Sequence, residues 1–427
     1  MKIVITGGLI IDPANDLEQP GHLYIAEGNI AAVGEPLADF TPDRVIDARG
    51  KWVCPGIVDL CARFREPGHE HKTTIAQEAR AASAAGITTV CIPPDTEPVI
   101  DTPAVVEFIR HREHQAGLTR LVTLGALTQA LAGEKLSAMA ALQQAGCVGV
   151  SNAWAPVINT RVLRRALEYA ATFGLTVHVH AQDHWLSRGG VAHEGLVATR
   201  LGLPGIPSSA ETIETSRILG LVEQIGVRVH FCRLSTARAA QMIGRAQHDG
   251  LPVTADVCAH QLHLTEMDIA DFNALCHVRP PLRTQRDRDG LRRATARGVI
   301  HAICSDHQPH EPDAKRQPFS ASEPGISALE TLLPLTLRLV DEKILSLRQA
   351  IARLTWGPAQ TLGLAAGTLS PGRPADVIVL DPRHYWTVDD EQLVSQGKNS
   401  PFSGWELRGR VTHTVLGGKL VYQREPT

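Results

Sequence analysis

Through the middle of the chain, short runs of apolar residues alternate with longer stretches in which apolar and polar positions recur at helical spacing. Eight runs read as strands: 57–63 (IVDLCAR), 87–93 (ITTVCIP), 121–127 (LVTLGAL), 147–152 (CVGVSN), 175–181 (LTVHVHA), 227–235 (VRVHFCRLS), 252–260 (PVTADVCAH) and 299–306 (VIHAICSD). Segments between them, such as 73–86, 134–146 and 235–250, are rich in Ala, Leu, Arg and Gln, and several close on glycine, as helices commonly do. Eight strand-then-helix units predict an α/β fold, a TIM (β/α)8 barrel with its functional groups at the C-terminal ends of the strands. An open doubly wound sheet is the alternative.

The two ends break this alternation. GGLIIDP and AEGNIAAVG near the start, and PADVIVLD and VTHTVLGGKLVYQ near the end, are Val/Ile/Gly-rich runs with turn signals. They predict antiparallel strands from both termini that join in one small β-sandwich, residues 1–54 with 365–427, around a barrel of residues 55–364. Cys54-Pro55-Gly56 and the GPAQTLGLAAG run at 357–367 mark the boundaries.

Composition narrows the function. A 427-residue chain with 43% hydrophobic and 20% charged residues can bury a large core. Its formal net charge of −3 is spread without a basic stripe, which argues against a nucleic-acid partner. The opening MKIVITGGLIIDP lacks the apolar core and cleavage site of a secretory signal, and no run approaches a membrane span. The eight cysteines form no CxxC pair, so reduced, buried thiols and a cytoplasmic location are expected.

The candidate chemistry begins at residues 59–71, DLCARFREPGHEH. Side chains two apart on a strand share a face, so Asp59, Cys61 and Arg63 are expected to project into one cavity mouth. Further motifs are SDHQPH at 305–310, RPPLR at 279–283, PPDTEP at 93–98, PADVIVLD at 374–381 and a late KNSPFSGWELRGRV. Together with REPG at 65–68, these make the chain resemble the class I dihydroorotases of the amidohydrolase superfamily along nearly its whole length.

That resemblance implies a metal-dependent cyclic-amide hydrolase, yet most of the family's metal-ligand positions are changed. The His-x-His pair of the first strand falls on Cys61 and Arg63. The bridging aspartate of an SDDG-like run falls in Ser151-Asn152-Ala153-Trp154, so Asn152 and Ala153 stand where carboxylates would. The histidine of HxxHxST falls on Arg233. Only His180 and Asp306 keep their family identities. A guanidinium has no lone pair to give and stays charged. One arginine about 4 Å from a divalent ion, at an effective dielectric of about 20, opposes binding by about 8 kcal/mol as a ceiling.

Zinc is therefore not expected, and neither is the activated water it would supply. Asp306 is expected to pair with Arg63 and Arg233, which would replace the metal charge. His180 is read as a core histidine, and Cys61 as a small buried hydrophobe. Arg65, the family's carboxylate grip, is a possible remnant of substrate binding. Asp95 and Arg279 change the charge around it, and weak or no dihydroorotate binding is expected. Arg65 with Glu66 reads as a local ion pair, and His69, His71, His307 and His310 as residues without a ligand role.

Degenerate dihydroorotases of this kind are noncatalytic bacterial chains that assemble with the aspartate transcarbamoylase catalytic chain. The resemblance implies that partner, in an assembly of six of each chain. Two alternatives remain: a hydrolase with a metal site rebuilt from Cys61, His178, His180 and Asp306, and a standalone small-molecule binding protein with its pocket around Arg65.

Overall fold

The computed structural model describes residues 1–425 except Pro36 and Ala38. Strands β1 (Ile3–Asp12), β2 (Leu17–Ala26), β3 (Asn29–Gly34), β4 (Arg44–Asp47) and β5 (Trp52–Pro55) come from the N-terminal part of the chain. The barrel follows with β6 (Ile57–Asp59), β7 (Ile87–Ile92), β8 (Arg120–Ala126), β9 (Gly149–Ser151) and β10 (Val177–Val179). A two-stranded excursion, β11 (Ala192–His193) with β12 (Gly205–Ile206), precedes β13 (Val229–Phe231), β14 (Val253–Cys258) and β15 (Ala302–Cys304). The chain ends with β16 (Val377–Thr387), β17 (Glu406–Leu416) and β18 (Lys419–Gln423).

The eight barrel strands are all parallel, in the order β6-β7-β8-β9-β10-β13-β14-β15. The first and last approach each other through an Ala62–His307 bridge, with Arg63 N donating to His307 O at 2.9 Å. Each expected strand forms, and all but β8, which keeps seven residues shifted by one, are shorter than their apolar runs. β6 stops at Asp59, β13 at Phe231 and β15 at Cys304. Arg233 and Asp306 adopt φ of 55° and 46°, which turns the backbone out of the sheet just past the strand ends. Helices are trimmed likewise: Ile75–Ala84, Met139–Ala145 and Ala237–His248 form within the expected segments. The first starts at a capping box in which Thr74 and Gln77 satisfy each other's backbone N–H.

Both termini share one eight-stranded sheet that encloses its own apolar cluster, including Ile3, Ile5, Ile10, Leu23, Val377 and Val415. A bulge between Ile5 and Gly8 shifts the alternation of β1, so Ile10 faces the same cluster as Ile3 and Ile5. The expectation of purely antiparallel pairing is corrected here. β4 and β5 both run parallel to β1, because the chain crosses over after β3 and then follows β1 in the same direction, broken only at the Arg49-Gly50 turn. At the junction, a side chain on Gly56 would overlap Thr88, which lets the sheet pass directly into the barrel. All eight cysteines are buried and unpaired. No helix among the described residues is long and apolar enough to cross a membrane.

Candidate functional site

The C-terminal ends of the barrel strands bring distant residues to one point. Asp59, at the end of β6, accepts from Ser305 N at 2.9 Å and from Ser305 Oγ, which fixes the turn that presents Asp306. Burial pushes the Asp59 carboxyl up to about 7. Asp59 thus anchors the last strand and does not line the mouth with Cys61 and Arg63, because β6 ends before those residues. Asp256 on β14 does the same for Arg233: its Oδ1 accepts from Arg233 N at 2.5 Å, and its Oδ2 meets His230 Nε2 at 2.9 Å. Arg65, Ala153, Arg233 and Asp306 all hold positive φ at this end of the barrel. Four side chains in that conformation, outside glycine, are a concentration of local strain of the kind found at functional sites.

At the centre lies Asp306, 2% exposed. Its Oδ1 accepts from Arg63 Nη1 at 3.1 Å and from Cys61 Sγ at 3.3 Å, and Arg233 Nε lies 3.7 Å away. Its Oδ2 accepts from Gln308 Nε2 at 3.1 Å. Arg233 Nη1 also reaches Cys61 Sγ at 3.3 Å. Burial drives the Cys61 thiol well above its ordinary range. Burial lowers both guanidiniums, but Asp95, Cys61 and Asp306 around Arg63, and Cys61 and Asp306 around Arg233, outweigh it and hold them up. Asp95 is not a free negative charge facing a substrate: its Oδ2 lies 2.9 Å from both Nε and Nη2 of Arg63.

Trp154 covers this network. Its ring has Arg233, Arg63 and Arg279 at 4.5, 5.2 and 5.5 Å from the centroid, and His180 meets it edge-on at 4.5 Å. Cation–π contact of this kind is worth about 0.5 to 2 kcal/mol per pair. Two small cavities lie near these groups, about 10 Å³ beside Arg63 and Asp95 and about 30 Å³ beside His178 and His180. The open cleft, about 620 Å³, lies on the outer side and is lined by Trp154, Gln182 and Arg279. A cleft of about 650 Å³ at the opposite end of the barrel, by Cys147, Thr176 and Arg228, is remote from these groups. Trp154 carried no role in the sequence reading. The signal available was a bulky aromatic where the SDDG-like run has glycine, on a loop that faces several arginines.

The remaining candidates are dispersed into structural roles. Asn152 donates to Leu131 O and Ala155 O and accepts from Thr128 Oγ1, so it ties loops together. His180 Nε2 meets Gln182 Oε1 at 2.7 Å, and burial holds its pKa well below the usual range. Arg65 donates to Pro309 O at 3.2 Å and lies 3.2 Å from His310 Nε2; burial, with Arg63 beside it, lowers it to about 10. The expected Arg65–Glu66 pair does not form. Glu66 instead accepts from Arg112 Nε at 2.5 Å and from Ile75 N at 2.8 Å, because the loop turns it toward two helices. His307 bridges Glu78 and Ala328 N. His69 and His71 sit edge-to-face, 6.0 Å apart.

These residues do not fit the metal pair implied by the fold. Asp306 Oδ1 is taken by Arg63 and Cys61, Asn152 is turned to backbone carbonyls, and two of the ligand positions carry guanidiniums. Nor do Cys61, His178, His180 and Asp306 gather into a rebuilt site. Among the described residues, the trio with metal-like spacing is His178, His230 and Cys232, whose donor atoms lie within 4.8 Å. There both His230 nitrogens are already engaged, by Thr254 Oγ1 at 2.7 Å and by Asp256.

A parallel barrel of eight strands and a sheet built from both termini define an amidohydrolase architecture. The chain belongs to the Amidohydrolase family, which matches residues 52–421. Within it the chain is dihydroorotase-like. It is 49% identical over 423 residues to the "Dihydroorotase-like protein" of Pseudomonas aeruginosa, covering 99% of this chain and 100% of the relative. The "Dihydroorotase-like protein" of Pseudomonas putida is 50% identical over 425 residues, 100% of each chain. The "Dihydroorotase" of Anaeromyxobacter dehalogenans is 44% identical over 425 residues, 99% of this chain and 98% of the relative. In fold, the chain is similar to the L-hydantoinase (dihydropyrimidinase) of Arthrobacter aurescens, with a TM-score of 0.87 at 23% identity over 99% of this chain and 96% of that one.

Proposed function

We propose that the chain is a noncatalytic dihydroorotase-like subunit, cytoplasmic and without zinc, that supports assembly or activity of the aspartate transcarbamoylase catalytic chain in pyrimidine biosynthesis. The observation that carries this reading is the Arg63–Asp306–Arg233 cluster, in which a family proton shuttle is neutralised by two cations at metal-ligand positions. Asp306 Oδ1 is occupied by Arg63 and Cys61, and its Oδ2 is already held by Gln308. The Trp154 ring packs against Arg63 and Arg233 of this cluster. The two relatives at 49–50% identity bear the name dihydroorotase-like protein, which agrees with it.

A second reading, an active dihydroorotase, is favoured by the relatives named dihydroorotase at 44% identity. One experiment separates the two. The chain is expressed alone and together with the transcarbamoylase catalytic chain, and mass, carbamoyl-aspartate formation and cyclisation of carbamoyl-aspartate to dihydroorotate are recorded. The scaffold reading expects a mixed oligomer, transcarbamoylase activity that falls when this chain is omitted, and no cyclisation by the chain alone. Cyclisation by the isolated chain, or failure of the two chains to co-elute, overturns it.

A further inference from the structure

The cleft outside Trp154 has a chemistry that the buried network does not explain. Its walls carry Arg279, Arg188, His184 and His277 and no carboxylate. Arg279 is the cation at its floor. It donates from Nε to Gln182 Oε1 at 3.3 Å and lies over Trp154, and among the described residues no acid pairs with it. Burial, with Arg233 and Arg63 close by, pushes its pKa below the ordinary value, the behaviour of a guanidinium that lacks a counter-ion. Every other arginine touching the Trp154 ring has an acid partner: Arg63 has Asp95 and Asp306, and Arg233 has Asp306.

Gln182 supplies the second, independent observation. It is 8% exposed and lines the same cleft, and its Oε1 is used twice, by His180 and by Arg279. Its Nε2 is buried without any partner. A buried amide N–H left without an acceptor is costly, so a donor of this kind is normally satisfied. The free donor and the unpaired guanidinium belong to side chains in direct contact on one wall. Arg65, by contrast, is already committed to Pro309 O and His310.

We infer that this outer cleft is a binding site for a small organic or inorganic oxyanion, carboxylate or phosphate, held by the Arg279 guanidinium and the Gln182 amide above the Trp154 ring. A planar guanidinium accepts two oxygens of either group side by side, and the amide N–H supplies a further donor. The site lies in the cleft that Trp154 lines and requires no metal. It stands whether or not the chain assembles with a transcarbamoylase.

The test is isothermal titration of the full chain with succinate and, separately, with inorganic phosphate, using neutral succinamide as control. Binding of at least one anion with a Kd of about 1 mM or tighter is expected, and it weakens as salt is raised. Arg279→Gln weakens it about tenfold or more. Ser320→Asp, which places a carboxylate on an exposed position of the same cleft, weakens it while leaving the fold intact by circular dichroism. Which anion binds identifies the source. No heat with either anion at millimolar concentrations, or unchanged affinity in both variants, overturns the inference.

Discussion

Replacing Asp306 by asparagine keeps the shape of the central side chain and removes its charge. With Arg63 at 3.1 Å and Arg233 at 3.7 Å, the carboxylate gains about 10 kcal/mol of attraction at an effective dielectric of about 20. Most of that offsets the desolvation of three buried ions, several kcal/mol for each. Removing one partner forfeits the attraction and leaves two guanidiniums buried, Arg63 with Asp95 and Arg233 with Asp256, which already accepts from its backbone N–H. The expected net loss is about 3 to 5 kcal/mol. For a chain of 427 residues that corresponds to a melting temperature lower by about 3 to 6 °C. The assay is thermal and urea unfolding at pH 7.5, with and without a chelator. An asparagine variant as stable as the parent, or more so, would refute the reasoning, since that is how a metal-free carboxylate site relieved of like charge behaves.

Three other outcomes follow from the same geometry. Trp154→Ala removes the ring shared by Arg63, Arg233 and Arg279, and a loss of about 2 to 4 kcal/mol in urea unfolding is expected; an unchanged midpoint contradicts the covering role. Glu66→Gln weakens the contacts to Arg112 and Ile75 N by about 1 to 3 kcal/mol, measured in the same assay, whereas Arg65→Gln leaves Glu66 and its contacts untouched. Buried His193, His260, His263 and His277 are each pushed down to about 4 by burial, from an ordinary value of 6.5. The folded state refuses protons that the unfolded chain takes up, so stability is full above about pH 6.5 and falls toward pH 4. The slope is at most about 1.4 kcal/mol per histidine per pH unit. Thermal melts between pH 7.5 and 5 check this, and a flat profile contradicts it.

The barrel was legible because its eight strand runs, largely apolar and mostly buried, alternate with segments of helical spacing through the middle of the chain. Their ends were not. Cys61 and Arg63 follow β6 without a break in sequence character, and only the splaying of the mouth removes them from the sheet. The identities of the altered positions could be read from the motifs, and so could the meeting of Asp306 with Arg63 and Arg233, since strand-end residues converge in a closed barrel. Asp95 was misread as a free charge because its partner, Arg63, comes from the neighbouring strand's loop, 32 positions away. Glu66 finds Arg112, 46 positions on, and Gln182 finds Arg279, 97 positions on. Such side-chain choices depend on loop paths that no local pattern encodes. The parallel course of β4 and β5 along β1 was hidden for the same reason: direction is set by the crossover, not by the apolar pattern.

The central claim is that guanidiniums occupy the place of a metal pair. Its most direct measurement is the metal content of the purified chain after growth and dialysis with excess zinc, read by mass spectrometry alongside the melting temperature with and without chelator. Less than about one zinc per ten chains, and a melting temperature that the chelator does not move, is the expected result. One or two zinc ions per chain, with a melting temperature that falls when they are stripped, would contradict it.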